Sequence, residues 1–312
     1  MDFLSAMIPM AIFLAAGYIL KKLGIAGEGA KDFLSKYLFY FAMPSLAFRS
    51  VASFSFKESF VPGLVLHNLV TMVLVFTLSI GFMYLLKDGK MRGAAHMAVY
   101  RGNQGYIGMY AAKGMFGNLA LSKAAVINGF ENPLVNILAV TGMEIFRTKH
   151  TKSHFLKTVA RVFLNVVKNP FVIAVVLGMI ESAVRTNILS VAAIDKTLEM
   201  AGNTALPLAL ILIGASITFT YIKNNFSLVA LLSFIKIGVV PFIAWVLGRY
   251  LFVLEKTDLA IGVVLLGTPV AVSSYVFARE MGADETLMAS CIGLSTILSI
   301  FTLPLINYLL GL

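Results

Sequence analysis

Charge is scarce in this sequence. Of 312 residues, 25 are Lys or Arg and 15 are Asp or Glu, which makes 13% charged against 59% hydrophobic. A soluble domain carries about 25% charged residues, and no water-soluble core of this length could hide so much apolar surface. Cysteine is nearly absent as well. Cys291 stands alone inside an apolar run, which excludes a disulfide framework and a cysteine-based metal site within one chain. Enzyme signatures are missing too: no phosphate loop with its lysine, no Gly-x-Ser-x-Gly elbow and no His-Glu-x-x-His metal motif. The sequence therefore predicts neither an enzyme nor a bound cofactor or metal. The start, Met-Asp-Phe-Leu-Ser, has no basic segment and no obvious cleavage site, so the first apolar run reads as a retained helix.

What fills the sequence is a succession of apolar runs. About twenty apolar residues cross a bilayer core, and on that measure ten spans are expected: 3–20, 33–52, 61–86, 94–113, 120–146, 169–185, 191–220, 226–253, 258–279 and 284–310. The net charge of +10 does not point to nucleic acid, because the basic residues sit in short connectors and not on aromatic-interleaved faces. With the N-terminus outside, fifteen Lys and Arg fall on the cytoplasmic side and eight on the other, most of the bias coming from the connector 147–168. That places both termini outside under the positive-inside rule. Without a Ser/Pro-rich linker, residues 1–312 read as one membrane domain.

An internal repeat divides that domain into 1–146 and 169–312 around the basic connector. Pro9 and Gly17 in the first span match Pro170 and Gly178 in the sixth; Pro44 in the second matches Pro207 in the seventh. Gly102 to Gly117 overlies Gly267 to Gly282 at constant offset, and Tyr110-Ala111-Ala112-Lys113 faces the run from Tyr275 to Arg279. Five spans per half is an odd number, so the halves insert with opposite orientation. The expected fold is thus an all-α membrane protein of two inverted five-helix repeats, the plan of many secondary transporters.

The stretch 98–117 is too apolar for a surface loop, yet it carries Arg101, Asn103 and Gln104, with glycines at 102, 105 and 108. A helix that breaks there exposes backbone groups that only protein or water can satisfy. Spans four and nine are therefore expected as broken, crossing helices. Their break points are Asn103-Gln104-Gly105 and Thr268-Pro269, with Ser273 and Ser274 just beyond. Half-helix N-termini suit a carboxylate or another anion, and the Asn and Gln amides add donors without charge. Arg101, about 10 Å along its span at helical rise, either snorkels to the interface or faces a cavity that attracts an anion. Lys236 in span eight pairs with a carboxylate or carbonyl, or stands where relatives hold a cation. Glu131 is its candidate partner or a proton carrier, and Asn132 a lining residue. His67 is either a packed hydrogen-bonding residue or part of a proton relay.

Tyr-Arg-Gly-Asn-Gln-Gly-Tyr-Ile-Gly at 100–108, Ala-Leu-Pro-Leu-Ala-Leu-Ile-Leu-Ile-Gly-Ala-Ser at 205–216 and Thr-Pro-Val-Ala-Val-Ser-Ser-Tyr-Val-Phe-Ala at 268–278 resemble the auxin efflux carrier family. So does the opening Gly-Tyr-Ile-Leu-Lys-Lys-Leu-Gly with Tyr-Phe-Ala-Met-Pro-Ser-Leu. That family includes plant auxin carriers and bacterial proteins labelled malate or malonate permeases, and it is related in fold to bile-acid sodium symporters. The resemblance implies a scaffold and a transport subdomain, a homodimer and an elevator-type shift. It also implies an asparagine that meets the substrate carboxylate, which the motif places at Asn103. The family's crossing prolines are matched here by Tyr110 and Ser274, a departure, and the long loop of the plant carriers is replaced by the brief 147–168 connector.

The function expected is secondary transport of small organic anions, auxin-like or dicarboxylate, across a bacterial cytoplasmic membrane. Expected partners are the substrate anion, the lipid bilayer and a coupling ion, proton or sodium, with no nucleic acid. Two other readings stay open: an antiporter of inorganic ions on the same fold, or a receptor or scaffold that transports nothing.

Overall fold

Apolar runs in a bilayer must close their backbone hydrogen bonds internally, and the chain does so with helices. The computed structural model describes residues 3–54, 56–86, 88–146, 168, 170–217 and 223–310; the connector expected at 147–168 lies outside them except for Lys168. In chain order the helices are α1 (Phe3–Lys22), α2 (28–52), α3 (Pro62–Met83), α4 (Gly89–Tyr100), α5 (104–116), α6 (Asn118–Phe146) and α7 (Pro170–Val184). There follow α8 (Ala192–Ser216), α9 (Phe226–Leu251), α10 (Lys256–Leu266), α11 (Ser273–Glu280) and α12 (Glu285–Leu309). No β-sheet occurs among the described residues, whose one isolated bridge joins Gly102 to Val270.

Four helices among the described residues are long and apolar enough to cross a membrane: α3, α8, α9 and α12; α7 is apolar but shorter. Large apolar side chains stand on their outer faces, among them Phe82, Phe234, Phe242 and Phe301, each more than half exposed. So wide an apolar surface needs lipid or protein to cover it.

Close backbone approach organises one side of the molecule. A Cβ on Gly17 would overlap the carbonyl oxygen of Ile211, and one on Gly214 that of Leu14, so α1 and α8 touch backbone to backbone. Gly178 of α7 lies likewise against the carbonyl oxygen of Phe48 in α2, 3.0 Å from where its Cβ would be. These four helices share a face, which Arg49 of α2 secures with a two-pronged bond to Asp195 of α8, 2.6 and 3.1 Å. The other side packs α3, α4, α6, α9 and α12 around Met72, Met97, Leu138, Leu232 and Cys291. A second apolar cluster, with Leu46, Met109, Ile127, Phe171, Leu212 and Leu265, joins the two sides.

Several helices widen locally. Leu38–Ala42 in α2, Gln104–Gly108 at the start of α5, and Ile235–Val239 and Leu247–Leu251 in α9 form π turns. Such turns recur at functional sites. In α2 and α9 the first of them directly precedes Pro44 and Pro241. At Pro44 and Pro241 the missing N–H and the ring's clash with the preceding turn disfavour regular i→i−4 bonding.

Candidate functional site

Two helices stop where their sequences stop them. α4 ends at Tyr100; Arg101 is extended, Gly102 follows, and Asn103 has φ −84° and ψ 54° before α5 begins. α10 ends at Leu266, and Pro269 has no N–H with which to continue. The freed backbone groups find each other. Asn103 N–H donates to the carbonyl of Pro269 at 2.7 Å, and Ala271 N–H donates to that of Arg101 at 3.1 Å. The two breaks thus form a short antiparallel pair, Gly102 opposite Val270. Two side chains satisfy two more of these groups. The hydroxyl of Ser295 accepts from Val270 N–H at 3.1 Å, and Lys236 Nζ donates at 2.6 Å to the carbonyl of Leu266, the last of α10. A cation at a helix C-terminus is favoured there, and burial of the Lys236 side chain, 1% exposed, follows from that role.

Beside the pair lies a cavity of about 90 Å³. Its lining comes from the break (Arg101, Gly102, Asn103), the first turn of α5 (Gln104, Gly105, Tyr106), α6 (Asn128, Glu131, Asn132, Val135), and Met72, Ala271 and Ser273. Arg101, Asn103, Gln104 and Glu131 are all buried, at 5% exposure or less. The Arg101 guanidinium stacks 4.3 Å from the Phe277 ring centroid. Its Nη2 donates to Asn136 Oδ1 at 3.3 Å and Ser273 Oγ at 3.2 Å. Gln104 Nε2 donates to Glu131 Oε1 at 2.8 Å. Three buried polar atoms in this group have no hydrogen-bond partner among the described residues: Arg101 Nη1, Asn103 Nδ2 and Gln104 Oε1. Leaving such groups unpaired costs about 1–3 kcal/mol each, so a ligand that pairs with them gains that much.

The expected site residues separate into two groups. Arg101, Asn103, Gln104, Gly105, Asn132, Glu131 and Ser273 come together around the cavity. Arg101 is buried and lines the cavity. Thr268, Pro269 and Ser274 do not line it. The Thr268 hydroxyl donates to the carbonyl of Leu265 at 2.7 Å, and its side chain packs under Gly102 and Gly108. Pro269 contributes a carbonyl to the backbone pair. Ser274 is fully buried, its Oγ without a partner among the described residues.

Lys236 and Glu131 interact through charge, yet each hydrogen-bonds elsewhere, Lys236 to a carbonyl and Glu131 to an amide. His67 is away from the cavity. Its Nε2 lies 2.7 Å from the carbonyl of Ala244, which can only accept, so Nε2 carries the proton. Gly248 and Gly262 make room for that ring. Tyr110 falls in α5 beyond the crossing, its hydroxyl donating to the carbonyl of Gly202 at 2.8 Å.

Sequence reasoning missed Asn128, Asn136, Tyr106 and Phe277. The signal for two of them is present. Asn128, Asn132 and Asn136 recur every four residues, which puts them on one face of α6 beside Glu131.

Long apolar helices around a buried, polar crossing of two broken helices define an integral membrane protein of the transporter kind. The chain belongs to the membrane transport protein family, that of the auxin efflux carriers, whose model matches residues 2–307. Two similar proteins are archaeal. An uncharacterized transporter of Methanothermobacter thermautotrophicus is 26% identical over 302 residues, covering 94% of each chain. Another from Methanocaldococcus jannaschii is 25% identical over 317 residues, covering 97% of this chain and 99% of its own.

Proposed function

We propose that this protein is a secondary transporter of small organic carboxylate anions, auxin-like or dicarboxylate, in a cytoplasmic membrane with both termini outside. The substrate carboxylate sits in the crossing cavity, held by Asn103 Nδ2, Arg101 Nη1 and the first turn of α5. One observation carries this reading: the cavity is lined by Arg101 and Asn103, each holding a buried donor, one of them cationic, that no described protein atom accepts from. The cavity has room for a carboxylate and a water or two, taking about 30 Å³ per water, so the headgroup is what it recognises. The reading includes ten spans in two inverted repeats, which two sets of matched positions support. Gly17 on α8 and Gly178 on α2 are equivalent contacts, the first span of each half against the second span of the other. Gly117 and Gly282, at matching positions after α5 and α11, both have positive φ, 83° and 75°. Transport then proceeds by an elevator-type shift of the body holding the crossing against α1, α2, α7 and α8, in a homodimer.

A thermal-shift panel tests the assignment, because a ligand of the folded state raises apparent stability. Indole-3-acetate, malonate, succinate and a bile acid are each added with and without sodium. Stabilisation by one carboxylate class, absent in Asn103→Ala, is expected. Equal stabilisation of wild type and Asn103→Ala refutes the site, and sodium as the single stabilising addition favours an ion antiporter.

A further inference from the structure

The orphaned oxygen of Gln104 does not fit an anion site as it stands. A carboxylate needs donors, yet Gln104 presents Nε2 to Glu131 and leaves Oε1, an acceptor, buried and unpaired. The cause is Glu131. An ionised carboxylate only accepts, so it holds the amide by its nitrogen. It also puts a negative charge on the wall of the cavity that is to receive another. Both obstacles vanish if Glu131 takes up a proton. Its O–H then donates to Gln104 Oε1, and the amide turns about its terminal torsion, which is broad and two-fold. Nε2 then takes the place of the buried, unpartnered Oε1, a third donor beside Asn103 Nδ2 and Arg101 Nη1.

We propose that Glu131 and Gln104 form a proton-operated switch, in which protonation of Glu131 turns the Gln104 amide and admits the substrate carboxylate. This rests on the anion-site reading above and makes the coupled ion a proton, one per carboxylate bound. The proton passes from water to a Glu131 oxygen, and no other covalent bond changes.

Several other titratable groups on elements packed against α6 are engaged elsewhere, while the Tyr100 hydroxyl of α4 is buried without a partner among the described residues. His67 of α3 faces the Ala244 carbonyl and His96 of α4 the Phe76 carbonyl. Arg49 of α2 is held by Asp195, Glu181 of α7 by Thr186 and Asp258 of α10 by Lys123. Lys113 of α5 lines a different pocket beside Arg49, and Lys57 and Glu58 of the short turn before α3 are exposed. Tyr106 shares the cavity wall. Arg101 also lines the cavity, and Lys236 acts on Glu131 through its charge. Arg101 keeps its charge throughout the tested range, so it attracts the anion but does not gate it.

The test is proton uptake on binding, read with an indicator dye in weakly buffered detergent solution. The probes are indole-3-acetate and malonate between about pH 6.5 and 8, where ordinary carboxylates remain ionised. Wild-type protein is expected to take up one proton per anion at the upper pH and to lose affinity about tenfold per pH unit there. Glu131→Gln, whose amide offers N–H to Gln104 Oε1 at every pH, is expected to bind at the low-pH wild-type level without uptake. Wild type binding either anion with no proton uptake overturns the switch and leaves the site reading standing, whatever the variant does. Uptake that persists in Glu131→Gln overturns it as well. If neither anion binds wild type at any pH, the site reading falls and the switch with it.

Discussion

Gly102→Ala is the substitution that probes the crossing most directly. The added Cβ would lie 2.6 Å from Thr268 Oγ1, 3.1 Å from Lys236 Nζ and 3.3 Å from its Cε. Gly102 is not among the glycines with positive φ, so the backbone tolerates alanine and the obstacle is steric. Lysine's far end can shift. Thr268 cannot easily, because it is β-branched and its hydroxyl is held by the Leu265 carbonyl at 2.7 Å. The breaks must then move apart, which stretches Asn103 N–H to Pro269 O and Ala271 N–H to Arg101 O. Overpacking costs about 1–3 kcal/mol, and two weakened buried bonds add about 1 kcal/mol each. Unfolding in mixed micelles should therefore show a loss of about 3–5 kcal/mol, with anion affinity falling alongside. Thr268→Ala removes the obstacle, so the double variant should recover about 1–3 kcal/mol relative to the sum of the singles. A Gly102→Ala protein as stable as wild type, or a strictly additive double variant, refutes this account of the crossing.

Asn103→Ala removes one free donor without touching the backbone pair and should weaken anion binding about tenfold, the worth of one hydrogen bond; unchanged affinity in calorimetry counts against the site. The ion pairs should differ sharply. Lys123 and Asp258, side chains 14% and 11% exposed, form a largely buried pair, so Lys123→Ala should cost about 3–5 kcal/mol. Arg49 and Asp195, 34% and 32% exposed, should be worth about 1 kcal/mol or less after solvent screening, and comparing both variants in one unfolding series checks the order. Gly214→Ala places a Cβ on the Leu14 carbonyl and should prevent α1 from docking on α8, seen as loss of folded protein in size-exclusion chromatography. His67→Gln should leave the pH profile of anion binding unchanged, since His67 holds a carbonyl away from the cavity; a shifted profile would give it a place in the proton path.

The break points were legible because glycine and proline act locally. Gly102 ahead of Asn103 and Gln104, and Pro269 after Thr268, end a helix wherever they fall in space. The partner of each broken segment was not legible, since Asn103 finds Pro269 across 166 positions that no periodicity links. The same distance hid the bond from Arg49 to Asp195 and made Lys236 ambiguous, because a lone cation in an apolar run does not reveal whether a carboxylate or a carbonyl awaits it. Thr268 and Ser274 drew attention as polar residues near a break, but which face a residue takes after a proline depends on how the chain leaves the helix. The π turns left no mark, as a five-residue turn inside an apolar run is as apolar as its neighbours. The Asn128, Asn132 and Asn136 ladder could have been read, had α6 been inspected for polar as well as apolar periodicity.

The bonds between the two breaks bear on how this part of the molecule can move. Each break completes the backbone of the other, so neither can open alone without stranding a donor and an acceptor in the interior of the molecule. In the language of hydrogen exchange, the Asn103 and Ala271 amides belong to one opening event. Four half-helices are thereby fastened into a single body at their midpoints, and any displacement that moves the cavity carries all four together.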